Sequence, residues 1–170
     1  VCCGFVVNDQ GEMIQVEDAK LRVLVQTIES VRGKVVIFCN FKHSVANIYE
    51  TLTDIYGVNA AVKYSGETKN RMAVVERFQE EEDTRFLICT SAAEKGLTLT
   101  SASTMIYYSN NYRLESRLQS EDRIHRIGQD NKCTYIDLVM RGTVDEAILK
   151  ALKDKQDIAN MVLTDLRKII

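Results

Sequence analysis

Val35-Val36-Ile37-Phe38-Cys39, a short and mostly β-branched apolar run just after Gly33, is the stretch on which the fold turns. Such a run reads as a strand buried on both faces. Before it, Leu21, Leu24, Val25, Ile28 and Val31 recur at helical spacing. After it, Val45, Ile48, Tyr49, Leu52 and Ile55 do the same. Gly57 is placed to end that second helix as a C-cap. Further out, strands are expected over 60–64, 85–89, 103–108 and 135–140. Met72, Val75 and Phe78 mark one helix between them, 114–127 a second, and 143 onward a long C-terminal third. Thr143 and Glu146 have capping-box spacing. Strands alternating with helices imply an α/β fold, a mostly parallel sheet with helices on both faces. Such folds put their chemistry in loops beyond the carboxyl ends of strands. Three segments are expected there: 40–44, 90–98, and the run from Asn110 into the next helix.

The totals suit one soluble domain with a real core: 170 residues, 45% hydrophobic and 27% charged. A net charge of −2 argues against binding nucleic acid through bulk charge, so any such contact is local or shared with another domain. None of the 5 cysteines stands at C-x-x-C spacing, which speaks against zinc. Cys39 and Cys89, inside apolar runs, read as buried free thiols. No apolar run approaches a membrane span, and no signal peptide is evident. The chain opens on Val1 within an apolar run reaching Val7. This suggests a piece of a longer protein, with residues 1–17 as an N-terminal strand or hinge region and 18–170 as the domain proper.

The most specific stretch is Gln119-Ser120-Glu121-Asp122-Arg123-Ile124-His125-Arg126-Ile127-Gly128-Gln129. On a continuous helix, Gln119, Asp122, Arg123 and Arg126 share one face. Two guanidiniums one turn apart form a multi-donor clamp for phosphate oxygens, with Asp122 able to hold one of them. The competing reading is a solvated face with an i,i+4 ion pair. Leu114 and Leu118 on one side, with Ile124 and Ile127 on another, fit that reading less well.

This stretch resembles motif VI of SWI/SNF-type ATPases, Q-x-x-D-R-x-H-R-I-G-Q, at every fixed position. The resemblance implies the second RecA-like lobe (helicase C-terminal domain) of a superfamily-two, DNA-dependent ATPase. Arg123 and Arg126 would be fingers that reach across an interlobe cleft to the γ-phosphate of ATP, with Gln119 and Asp122 beside the nucleotide. The segment from Thr90 to Leu99 is similar to motif V of the same superfamily. By that likeness Thr90 and Ser91 meet nucleic-acid phosphate, and Lys95, Gly96 and Thr98 border the nucleotide. It departs from the SWI/SNF form in having Ala93-Glu94 where Gly-Gly is usual and Thr98 where Asn is usual. Those departures suggest a bacterial or phage branch.

Residues 35–41 resemble motif IV, which brings Asn40, Phe41 and Lys42 to the cleft for a base or sugar and a phosphate. Phe41 reads equally well as a core aromatic. Residues 64–69, followed by Arg77-Phe78, are similar to the family's G-x-T…R…F segment, placing Gly66 and Lys69 near a DNA phosphate at a helix start. A plain helix cap by Thr68 is the alternative. Gly142-Thr143-Val144-Asp145-Glu146 resembles the G-T-[IV]-[DE]-E segment that follows motif VI. The resemblance spans roughly residues 20–165.

Asp145-Glu146-Ala147 imitates the start of a DEAD box but falls in a helix first turn, where acids suit the dipole. Gly33-Lys34 imitates the end of a P-loop, without its upstream Gly or following Ser/Thr. His43 and His125 lack apparent metal partners. ATP and Mg2+ are therefore expected mainly on an N-terminal RecA-like lobe. The implied substrate is double-stranded DNA rather than RNA, at a nuclear site in a eukaryote or in the cytoplasm of a bacterial or phage host. The alternatives are an RNA helicase, the motor of a restriction system, and a non-catalytic α/β binding module.

Overall fold

The computed structural model of the protein describes residues 5–7, 10–15, 19–93 and 96–169. Five strands form one parallel sheet: β3 (Lys34–Phe38), β4 (Ala61–Tyr64), β5 (Phe86–Cys89), β6 (Ala102–Tyr107) and β7 (Thr134–Asp137), in the order β4-β5-β3-β6-β7. A separate antiparallel pair, β1 (Phe5–Val7) and β2 (Met13–Gln15), precedes them. The helices are α1 (Ala19–Ser30), α2 (Lys42–Tyr56), α3 (Arg71–Glu80), α4 (Leu114–Glu121) and α5 (Val144–Ile169).

The central strand β3 buries Val35, Val36 and Ile37 completely, as its unbroken apolar run requires. Alternate residues serve opposite faces. Val35, Ile37 and Cys39 join Leu24, Ile28, Val45, Ile48 and Leu52 in a core beneath α1 and α2. Val36 and Phe38 join Leu87, Met105, Tyr107, Phe78 and Ile124 in a second core beneath α3 and the chain after α4. Helices on both faces thus follow from two-sided strands. Cys39 and Cys89 are buried thiols outside any disulfide, while Cys2 and Cys3 lie outside the described residues.

Strand ends differ slightly from the sequence reading. The chain keeps one more ladder bond beyond β3, β6 and β7, through Cys39 N–H to Cys89 O, Tyr108 N–H to Phe38 O and Leu138 N–H to Tyr107 O. Met140 leaves the sheet because its N–H is taken by Asp145 Oδ2 at 3.1 Å. Asp145 also ion-pairs with the buried Lys20, fastening α5 to α1. The start of α5 is a modified capping box: Thr143 Oγ1 accepts from Asp145 N–H, and Glu146 reaches back to Gly142 N–H rather than to Thr143. Gly57 ends α2 with φ 97° and donates to Thr53 O. Ile55 and Met72, read as apolar-face positions, are 53% and 83% exposed. Phe78 alone is buried in α3.

The largest departure concerns the helix expected over 114–127. It stops at Glu121, with Asp122 as C-cap. Arg123 N–H bonds Ser120 O, and Leu99 N–H then captures Arg123 O at 2.9 Å. Ile124 drops into the second core with no exposure, whereas Ile127 is fully exposed. Tertiary burial of Ile124 and the tie to Leu99 outweigh local helix propensity. The four polar residues therefore do not share one helical face.

Candidate functional site

The two arginines nevertheless converge, by a different geometry. Arg123 Nε donates to Gln119 O at 2.9 Å, and its Nη1 to Leu97 O at 3.1 Å. Arg126 Nη1 donates to Thr98 Oγ1 at 3.0 Å and to the same Leu97 O at 3.4 Å. One carbonyl thus gathers both guanidiniums beside the 96–98 loop. Arg123 is half-buried and Arg126 exposed. Among the described residues neither meets a carboxylate. Asp122 is exposed and holds neither arginine, because the chain turns where the helix was expected to continue. Gln119 contributes its carbonyl, while its amide bonds Glu115.

Gly96 has φ 74°, a left-handed conformation that accounts for glycine there. Among the described residues nothing stands within 4 Å of where its Cβ would lie. Lys95 and Glu94 lie outside the described residues. Ala93 is packed in the second core at the end of a 3-10 turn (Ser91–Ala93).

α4 is clamped to the sheet by Arg117, which was not singled out from sequence. Its side chain is 13% exposed and binds both carboxylate oxygens of Asp137, together with Glu121 one turn on. The guanidinium lies 3.5 Å from the centroid of the Tyr107 ring. Burial works against its charge, yet the bonds to Asp137 outweigh this and raise its pKa. Burial also pushes the Tyr107 phenol far above its ordinary value. It therefore stays neutral and shares a 2.7 Å hydrogen bond with Ser120 Oγ. The i,i+4 spacing of Arg117 and Glu121 was the available signal; the fork to Asp137 depends on β7 lying next to β6.

The arginine pair sits at the amino end of β6, since the Gln129 amide beyond it reaches the carbonyls of Thr100 and Ala102. The segments expected to touch nucleic acid lie at the carboxyl end. The expectation that all three segments crowd the carboxyl ends is therefore corrected: residues 96–98 and 123–126 lie at the other end. β6 itself, Ala102–Tyr107, spans about 17 Å from end to end at the usual strand rise.

At the carboxyl end, β4, β5 and β3 are adjacent and parallel, which sets their following loops side by side. Thr90 N–H bonds Tyr64 O, and Asn40 N–H bonds Ser109 Oγ at 2.8 Å. Thr90 is 8% exposed; Ser91, Asn40, Lys42, Gly66 and Lys69 are exposed. Phe41 is 44% exposed at the start of α2, so it is not a core aromatic. Lys42 pairs with Glu67. Thr68 Oγ1 accepts from Ser65 N–H within the turn. The cap of α3 is Asn70, accepting from Ala73 N–H, not Thr68. Lys63, overlooked in the sequence, is the exposed residue of β4; with Lys42, Ser65 and Thr68 it lines a cleft of about 330 Å³. Its ammonium lies 4.3 Å from the Tyr49 ring centroid. A larger hollow, about 700 Å³ and rimmed by Asn59, Arg77, Glu81, Glu82 and Asp83, holds none of the candidate site residues.

Among the described residues no three His, Cys, Asp or Glu side chains gather as a metal site, and no helix is long and apolar enough to cross a membrane. Residues 19–128 match the family model for the helicase conserved C-terminal domain. The chain is 28% identical over 162 residues to the chromatin-remodeling ATPase INO80 of Homo sapiens, covering 94% of this chain and 10% of that protein. It is 30% identical over 161 residues to the protein of the same name from Aspergillus terreus, covering 93% and 9%. The chain thus spans about a tenth of these relatives' length. The crystal structure of the C-terminal part of the Fun30 ATPase domain superposes with TM-score 0.73 and 22% identity, over 80% of this chain and 46% of that one. That likeness supports the RecA-like α/β fold. The expected bacterial or phage branch finds no support in these relatives, which are animal and fungal.

Proposed function

The chain belongs to the helicase conserved C-terminal domain family, and from that premise we propose that it is the second motor lobe of a SWI/SNF-like, ATP-dependent DNA translocase. The observation that carries the proposal is the convergence of Arg123 and Arg126 on Leu97 O, with no described carboxylate to neutralise them. Positive donors gathered in this way suit the charge on a transferring phosphoryl group.

In this reading ATP and Mg2+ are held mainly by an N-terminal RecA-like lobe. ATP supplies the phosphoryl group, and Mg2+ neutralises its oxygens. Arg123 and Arg126 donate to the γ-phosphate when the cleft closes, with Gln119, Asp122, Lys95, Gly96 and Thr98 around the nucleotide. The Leu97 carbonyl holds the two side chains near one another beforehand, which lowers the ordering cost on closure. At the other end of the sheet, Asn40, Phe41, Lys42, Gly66, Lys69, Thr90 and Ser91 form part of a DNA track. Alternate closing and opening steps the lobes along double-stranded DNA. With animal and fungal relatives, the reading places the parent protein in the nucleus.

The test is ATPase activity of the full-length protein beside this chain alone, with double-stranded DNA, single-stranded DNA and RNA. Activity in the full-length protein only, stimulated most by double-stranded DNA, is expected. RNA-selective stimulation would favour an RNA helicase. No hydrolysis by the full-length protein would favour a binding module.

A further inference from the structure

We infer that Gln129 is a positioning residue for the arginine turn, holding Arg126 in place through hydrogen bonds that only a glutamine side chain supplies there. Its Nε2 lies 2.8 Å from Ala102 O, 3.0 Å from Thr100 O and 3.3 Å from Ile124 O, so two N–H groups are shared among three carbonyls. Its Oε1 accepts from Asn131 N–H at 3.0 Å. Its backbone N–H bonds Arg126 O at 3.0 Å, closing a turn through Ile127 and Gly128. Gly128, with φ 95°, takes the position of that turn which needs a left-handed residue.

One side chain therefore ties together three pieces of backbone: Ile124 before Arg126's turn, Asn131 after it, and Thr100 and Ala102 at the start of β6. Upstream, the segment is held by Leu99 N–H on Arg123 O, His125 N–H on Glu121 O and the buried Ile124 side chain. The turn's own side chains at Arg126, Ile127 and His125 are exposed, and Ile127 is wholly so. The chemistry of the position is narrow. Glutamate has no donor and sets a carboxylate against three carbonyls. Methionine keeps the length but neither bonds nor repels. Asparagine is one methylene too short for the same reach. Because Arg126 hangs from this turn, loss of the tie displaces its guanidinium from Thr98 and Leu97, and misplacement of about 1 Å costs on the order of 10²-fold in rate.

The inference rests on the arginine-finger reading, so the experiment carries a separate arm for it. Four full-length proteins are compared by DNA-stimulated ATPase kinetics, with thermal melting as a fold control: Gln129→Glu, Gln129→Met, Arg126→Ala, and Arg126→Ala with Gln129→Met. Both Gln129 variants should lower kcat by about 10- to 100-fold, with KM for ATP and DNA affinity within about twofold. On the Arg126→Ala background, Gln129→Met should cause no further loss, because it acts through that arginine. Parent-like kcat in both Gln129 variants overturns the positioning role, as does a full further drop in the double variant or a loss shared equally by kcat and DNA affinity. Parent-like kcat in Arg126→Ala overturns the finger reading itself. If the glutamate variant does not fold, the uncharged methionine variant decides the matter. Amide exchange across 123–131 gives a readout without catalysis: it should rise in Gln129→Met while exchange in β3 and β5 stays unchanged.

Discussion

The arginine turn and the carboxyl-edge loops occupy opposite ends of the same sheet and are built in opposite ways. At the amino end of β6, Arg123 is half-buried, both arginines share one carbonyl, and the backbone is tied down by Leu99 and Gln129. At the carboxyl end, Lys42 at the start of α2, Lys63 on an edge strand and Lys69 on a loop stand exposed, and Lys42 is countered by Glu67. The first arrangement suits a group that must meet a developing charge at a fixed place. The second suits contacts with a polyanion, where charge matters more than register. In the proposed motor these become chemistry and track.

The comparison can be broken most directly at the arginines. Arg126→Ala in the full-length protein should lower DNA-stimulated kcat by about 10³-fold or more, with DNA affinity unchanged in a binding titration. A smaller effect falls on the support beneath the turn. Arg117→Ala leaves Asp137 and Glu121 without their shared cation and should destabilise the chain by about 3 kcal/mol, read from the denaturant midpoint. If the midpoint hardly moves, α4 is held by packing alone.

At the other end the effects should be milder and salt-dependent. Lys42→Ala and Lys69→Ala should each weaken DNA binding across all sequences and reduce the salt slope by about one, with kcat at saturating DNA retained. An unchanged slope would remove that lysine from the track. The smallest effect is a gain: Glu67→Gln frees Lys42 and should tighten DNA binding about twofold at low salt, fading as salt rises. Weaker binding instead would mean that Glu67 orders the loop.

The sheet was legible because its strands are short apolar runs with little periodicity, Val35 to Cys39 above all, and each packs against helices on both sides. The convergence of Arg123 and Arg126 was legible from spacing, but its geometry was not. Helix propensity continues past Glu121, whereas burial of Ile124 and the bond from Leu99 to Arg123 O stop the helix there. Those are contacts between segments far apart in sequence, and no local pattern announces them. The same holds for Arg117, whose role needs β7 beside β6, and for Gln129, whose carbonyl partners lie up to 29 residues away. Lys63 was hidden for another reason: one charged residue in an apolar strand reads as an interruption until that strand proves to be an edge.

The central claim is that the two ends have separable jobs, and the most direct measurement is a DNA titration of ATPase rate at saturating ATP, run side by side on full-length Arg126→Ala and Lys42→Ala. The account predicts that Arg126→Ala lowers the plateau without moving the DNA midpoint, and that Lys42→Ala moves the midpoint without lowering the plateau. A parent-like plateau in Arg126→Ala, or equal effects of both substitutions on plateau and midpoint, would contradict it.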